Sequence, residues 1–223
     1  MADRQPAPVP SIWIRPRRGT RGPSPDHELA EVAAAAIRIA KRGGLAALSM
    51  RALATELGTA ASTLYNYVVS RDELLDLMID TAMADFTFTP QPGDWLTEVV
   101  RLAEATRSLY VAEPWLLDAR ATSSAPGPNT LAWFEHCLEA MKDLDRTATA
   151  KMEAIGVLVG VIRLFAQSAS APTAFDFSAI DAARHPHLTA TLTTVATGAA
   201  RPADDLFERS VRAVLVGLVG DRP

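Results

Sequence analysis

The stretch Leu57-Gly58-Thr59-Ala60-Ala61-Ser62-Thr63-Leu64-Tyr65-Asn66-Tyr67-Val68, followed by Ser70-Arg71-Asp72-Glu73-Leu74-Leu75, decides how this chain is read. A helix opening at Ser49 runs through Leu53, Ala54 and Leu57 and stops at Gly58, a residue that takes a left-handed turn without steric cost. A short helix follows from Ser62 to Tyr67, and Ser70 opens the next, with Asp72 and Glu73 in its first turn. Two short helices joined by a tight glycine turn predict a helix-turn-helix. Leu53, Ala54, Leu57 and Leu64 supply its apolar side, flanked by Leu48 and Val68, which leaves Ala61, Ser62, Thr63, Tyr65, Asn66 and Tyr67 on the outside. Those groups are short or planar and mostly polar. They suit phosphate bonds, methyl contacts and base-edge hydrogen bonds in a major groove.

Upstream, Ser24-Pro25-Asp26 carries the signals of a helix start, and Leu29, Val32, Ala33, Ala36, Ile37 and Ala40 then recur on one helical face. Lys41 and Arg42 suit the negative end of that helix, and Gly43-Gly44 stops it. Residues 1–24 read as a flexible basic arm, with Arg15, Arg17, Arg18 and Arg21 among repeated prolines. Trp13 between Ile12 and Ile14 is the exception within it, an apolar patch that suits docking on the body or on a partner. Downstream, helical periodicity appears near 94–112, 128–143, 147–170 and 203–219, with shorter patches around 114–119 and 182–196. No stretch alternates at period two. The expected fold is all-α: an arm over 1–24, a helix-turn-helix domain over 25–71, and a helical body over 72–223.

Charge divides the same way. Residues 1–71 hold 10 Lys and Arg against 5 Asp and Glu, whereas residues 72–223 hold 12 against 21. A basic head on an acidic body points to nucleic acid at the head and excludes a DNA binder that is basic throughout. The 48% hydrophobic and 22% charged residues mark a globular chain able to bury a core. One cysteine, Cys137, excludes a disulfide scaffold or a multi-cysteine zinc module and fits a reducing compartment. The apolar run from Ala154 to Ile162 is too short to span a bilayer, and the N-terminus lacks the apolar segment of a secretory signal. A cytoplasmic protein without membrane contact is therefore expected.

The segment from Leu57 to Leu75 resembles the TetR family of transcriptional repressors in its Leu-Gly, its Thr-Leu-Tyr and its basic residue opening the fourth helix. The likeness covers roughly residues 25–85, and the last helix, Asp205 to Leu218, looks like that of the tetracycline-repressor branch. The resemblance implies a dimer that binds palindromic double-stranded operator DNA and is released by a small-molecule effector, with no cofactor. It implies that Arg51 reaches phosphate or a base edge, and that Ala61, Ser62, Thr63 and Asn66 face bases. Tyr65, Tyr67 and Arg71 then anchor phosphates. Thr59 stands where the family usually has a buried Val, and Ala60-Ala61 offer methyls where many relatives have a long polar side chain. Fewer base-edge hydrogen bonds put weight on the arm and on DNA shape.

The body supplies the remaining expectations. Leu102, Thr106, Trp115, Phe134, Cys137, Leu138 and Met152 are candidate pocket residues, soft and apolar with Thr106 as a polar handle. The segment Glu113 to Arg120 lacks the His and Thr pair with which the tetracycline branch holds a magnesium chelate, so an apolar, metal-free effector is expected. Asp181, His185 and His187 read as a helix-linking loop rather than a metal site. His136 and Cys137, being adjacent, point different ways on a helix and make no catalytic pair. An all-α enzyme acting on a small apolar substrate, with the helix-turn-helix as an accessory, is the alternative; no nucleophile, base and orienter set supports it. Dimerisation through a four-helix bundle is expected from helices near 147–170 and 203–219. Its expected contacts are Ile155, Val159 and Ile162 with Gly156 and Gly160, and Leu206, Val214 and Leu218 with Gly217.

Overall fold

The computed structural model describes residues 12–14, 28–84, 94–119, 125–170, 177, 180–197 and 203–220, and no strand occurs among them. In chain order the elements are α1 (Leu29–Gly43), a 3-10 turn (Leu45–Ala47), α2 (Met50–Leu57), α3 (Ala61–Leu64), α4 (Arg71–Ala84) and α5 (Trp95–Ala112). These are followed by α6 (Trp115–Ala119), α7 (Pro128–Ala140), α8 (Ala148–Ser170), α9 (Pro186–Thr197) and α10 (Ala203–Val219). The fold is all-α. Two compact units divide it: residues 1–91 with 112–139, and residues 92–111 with 140–223.

In the first unit α1 buries Val32, Ala33, Ala35, Ala36, Ile39 and Ala40 and packs on α2 and α4. The described helix opens at Leu29, where the Glu31 carboxylate accepts the Glu28 N–H at 3.1 Å. The start expected at Ser24 lies outside the described residues, as do the arm arginines. α2 is capped as its sequence demands. Ser49 Oγ accepts the Ala52 N–H at 3.1 Å, and Gly58 closes the helix at φ +67°, a conformation that penalises any Cβ. Glu56 on α2 clamps α1, accepting from Arg38 Nε at 3.0 Å and from Arg42 Nη2 at 2.6 Å.

α4 holds this unit together. Every residue from Leu74 to Asp80 is buried, so the helix has no solvent side along that stretch, and its core contacts run past the expected boundary at residue 71. Two carboxylates are buried with it, Asp76 and Asp80. Asp80 meets the start of α7, where its Oδ1 accepts the Thr130 N–H at 2.9 Å and its Oδ2 accepts the Asn129 amide at 2.9 Å. A carboxylate at the positive end of a helix satisfies N–H groups that would otherwise be orphaned.

In the second unit α8 and α10 form one antiparallel-type seam of ridges. α10 buries Phe207, Val211, Leu215 and Val219 at four-residue spacing, and α8 buries Ala154, Ile155, Leu158, Ile162 and Ala166. Phe165 lies edge-on to Phe207 with centroids 5.2 Å apart, and the Arg107 guanidinium of α5 stands 4.5 Å from the same ring. Burial of Ile155 and Ile162 within the chain corrects their expected place on a subunit interface. The free side of α8 is instead Met152, Gly156, Val157, Gly160 and Leu164. Residues Ala148–Ala169 also form a helix long and apolar enough, by length and composition, to cross a membrane, a test that a packed core helix passes equally. One side of that helix is covered by α10, and Lys151, Glu153 and Arg163 interrupt its apolar surface.

The Glu56 clamp generates a pH prediction. Hydrogen bonds from Arg42 first, then Arg38, hold its carboxyl below the ordinary value of 4.5. A folded-state value below the unfolded one gives stability that is full above the ordinary range and is lost as pH falls through the folded value. Glu56→Gln is therefore expected to lower stability modestly at neutral pH and low salt. The difference from the unsubstituted chain should vanish on acidification and in high salt, as followed by denaturant titration.

Candidate nucleic-acid interface

The site is built on a buried support. Leu53 and Ala54 of α2, Leu64 of α3 and Val68 are at most 5% exposed, and α2 packs directly on α3. α3 is shorter than expected, ending at Leu64 rather than Tyr67. Beyond it the chain continues as turns, in which the Asn66 N–H donates to Thr63 O at 3.0 Å and the Tyr67 N–H to Leu64 O at 2.9 Å. Ala60 at the start of α3 has no side-chain oxygen to cap it, which removes one of the interactions that would stabilise a longer helix.

Every residue expected on the outer side is at least partly accessible. Arg51, Ser62, Tyr65, Asn66 and Arg71 are exposed, and Ala61, Thr63 and Tyr67 are half-buried. Among the described residues, the side chains of Arg51, Ser62, Thr63, Tyr65 and Asn66 make no intramolecular hydrogen bond or ion pair. Their polar atoms face solvent ready for an external partner. Arg71 differs: its Nη2 donates to Leu45 O of the 3-10 turn at 3.0 Å, which fixes the guanidinium at the head of α4. Arg38 and Arg42 are engaged by Glu56 and Arg71 by the Leu45 carbonyl, which leaves Arg51 as the expected cation with an unengaged side chain among the described residues. The Ser70 hydroxyl accepts the Glu73 N–H at 3.1 Å, and Glu73 Oε2 accepts the Val69 N–H at 2.8 Å, a reciprocal cap that sets where α4 begins.

A link the residue pattern did not reveal joins α1 to α6. The Glu113 carboxylate pairs with Lys41 Nζ through Oε1 and accepts the Trp115 indole N–H through Oε2 at 2.7 Å. α6 also touches the 3-10 turn whose carbonyl holds Arg71. Lys41 was legible only as a favourable charge at a helix end; its partner lies 72 residues further on, beyond the reach of any local pattern.

The expected pocket residues fall on both units. Trp115, Phe134, Cys137 and Leu138 belong to the first, and Leu102, Thr106 and Met152 to the second. Trp115, Cys137, Leu102 and Thr106 are buried, and Phe134 and Leu138 half-buried. Met152 is 47% exposed on the free side of α8. Thr106 Oγ1 donates to Leu102 O of its own helix at 2.7 Å, so this polar handle already has a partner. Burial pushes the Cys137 thiol up to about 12, so it is neither a thiolate nor a nucleophile near neutral pH. An open groove of about 660 Å³ lies in the head between Ile39, Ala47, Ala52 and Thr55, around the Arg42–Glu56 pair, and includes none of the seven. Asp181 Oδ1 accepts the Ala183 N–H at 2.9 Å and so caps the turn before α9; among the described residues no three His, Cys, Asp or Glu side chains gather as a metal site.

The family described as bacterial regulatory proteins, tetR family, matches residues 32–78, and the tetracyclin repressor-like C-terminal domain matches residues 89–220. The HTH-type transcriptional repressor DrrR1 of Streptomyces coeruleorubidus is 36% identical over 170 residues, covering 73% of this chain and 63% of that protein. The chain thus spans somewhat less than two thirds of that relative's length. Among solved structures, apo ActR from Streptomyces coelicolor superposes with a TM-score of 0.75 at 25% identity, over 89% of this chain and 98% of its own. ActR in complex with actinorhodin gives 0.72 at 26% identity, over 86% and 96%. The family and these relatives are transcriptional regulators rather than enzymes, which leaves the enzyme alternative without support. With both family domains matched in order along most of its length, the chain belongs to the TetR family of bacterial regulatory proteins.

Proposed function

We propose that this chain is a ligand-responsive transcriptional repressor. It binds a palindromic operator as a homodimer and is released by a small, mainly apolar effector. The observation that carries the reading is the outer side of the helix-turn-helix. There a buried support presents Arg51, Ser62, Thr63, Tyr65 and Asn66 with no partner inside the chain. In this reading residues 25–71 bind DNA and 72–223 assemble and respond to ligand, in the cytoplasm, where the DNA is. Arg51, Tyr65, Tyr67 and Arg71 hold phosphates, while Ala61, Ser62, Thr63 and Asn66 meet bases. The four-residue α3 offers few base-edge donors, so DNA shape carries a large share of the choice.

A single head reads too few base pairs to be selective, and a two-fold dimer matches two half-sites. The free sides of α8 and α10 support the assembly. A Cβ added at Gly156, Gly160 or Gly217 would meet nothing within 4 Å, so these glycines open onto the surface beside exposed Met152, Leu164 and Leu206. Small residues flanked by exposed apolar ones allow close approach of a second copy. The effector reading draws support from ActR, which is solved with actinorhodin, and from the buried apolar side chains Leu102 and Trp115. Glu113 is then the link from α6 to the head, because one carboxylate serves both Trp115 and Lys41. Ligand acts by favouring the arrangement of heads that no longer fits the operator, which requires unequal affinity for the two arrangements.

Five outcomes are expected. On duplexes selected from a random library, Arg51→Ala should weaken binding to all sequences alike and flatten its salt dependence. Asn66→Ala should relax choice at one position by about 1–3 kcal/mol; identical behaviour of the two would refute the division of roles. Gly160→Glu, harmless within the chain, should yield monomers by light scattering and lose tight binding to the palindrome. A panel of apolar aromatic compounds including actinorhodin should release the duplex in excess chelator, whereas a requirement for magnesium would overturn the metal-free reading. Glu113→Gln, which keeps an acceptor for Trp115 but loses the attraction for Lys41, should raise the concentration needed for release.

A further inference from the structure

The N-terminal segment Ile12–Ile14 is fastened to the first unit far along the chain. The Trp13 indole N–H donates to Ala125 O at 3.2 Å, across 112 residues, and the ring is half-buried although its neighbour Ile14 is 75% exposed. The seat is shaped for it. A Cβ on Gly127 would collide with Trp13 Cζ2 and with Cγ and Oδ1 of Asp80, so the indole and the carboxylate converge on a backbone that tolerates no side chain. Gly127 immediately precedes α7, and Asp80 is the buried carboxylate that receives the Asn129 amide and the Thr130 N–H there. Asn129 Nδ2 also donates to Asp80 O at 3.1 Å, so α4 and α7 are joined through one residue by three hydrogen bonds.

α4 runs from Arg71, at the foot of the helix-turn-helix, to this junction. Asp80 lies nine positions after Arg71, about 13 Å along the axis. The two ends of one rigid rod are thus the DNA-proximal Arg71 and the corner covered by Trp13. A buried carboxylate keeps strong hydrogen bonds only while water is excluded from it. The indole, packed against the same glycine, provides that cover from a segment otherwise rich in proline and arginine.

We propose that Trp13 is a lock on the α4–α7 corner. It acts as a positioning residue that fixes the far end of α4 and thereby the placement of the head for DNA. Without it the corner opens more often, the head is less well ordered before binding, and ordering it opposes association. The DNA part rests on the function proposed above; the lock does not.

The test uses full-length chains carrying Trp13→Ala or Trp13→Phe, compared with the unsubstituted chain by amide hydrogen exchange and by binding to the selected duplex. Trp13→Ala should speed exchange at 76–83 and 129–131 by about tenfold while α2 stays unchanged, and should weaken duplex binding several-fold. Trp13→Phe, which restores the packing without the N–H, should fall between on both measures. Gly127→Ala, which leaves no room for the ring, should open the same corner. Unchanged exchange at 129–131 in Trp13→Ala would overturn the lock, and an open corner with unaltered duplex affinity would overturn its positioning role. If the unsubstituted chain selects no duplex, the proposed function fails, while the exchange measurements still decide the lock.

Discussion

A helix buried all the way round needs other elements on every side, and α4 is such a helix from Leu74 to Asp80. The first unit follows from that constraint. α1 covers α4 along one side, α6 meets another, and the start of α7 is pinned to it by Asp80. Because α4 begins directly after the helix-turn-helix, the burial that stabilises the core also fixes where Arg71 stands. Of the two buried carboxyl groups on α4, that of Asp80 is tolerated because its oxygens accept backbone and amide hydrogens at a helix N-terminus, which replaces the lost hydration.

On this support the outer surface is left chemically open. The head uses its internal ion pairs to brace α1 against α2, through Arg38, Arg42 and Glu56, and leaves the side chains of Ser62, Thr63, Tyr65 and Asn66 unengaged. A binding surface of this kind needs rigidity behind and freedom in front. Leu64 and Val68, both fully buried, give the rigidity; Ser62, Thr63 and Asn66 keep their hydrogen-bonding capacity. Glu113 adds a connection of a different sort, since it binds a cation of α1 and an indole of α6 with its two oxygens and so ties the placement of one to the other.

The second unit shows how one long helix can have two apolar sides with different destinies. α8 packs Ile155, Leu158 and Ile162 with α10, whose ridge of Phe207, Val211, Leu215 and Val219 repeats every four residues. Its other side carries exposed Met152, Val157 and Leu164 around two glycines. Hydrophobicity alone cannot tell these sides apart. The sequence reading assigned Ile155 and Ile162 to a partner, and the chain itself covers them.

Local chemistry made much of this protein legible in its sequence. Helical periodicity without alternation dictated an all-α fold, because a 3.6-residue repeat buries one face only in a helix. Ser49, Gly58 and Ser70 marked the ends of α2 and the start of α4, because caps and left-handed turns depend on the residue in place and its immediate neighbours. The Leu-Gly and Thr-Leu-Tyr spacing identified the family and the outward residues of the head. Tertiary structure alone decided what depends on distant partners. It ended α3 at Leu64, exposed Met152, and gave Lys41 its partner in Glu113. It buried Asp80 at the start of α7 and seated Trp13 beside it, pairings across 50 and 112 residues that no local propensity encodes, since the loops between set no particular distance until the core has packed.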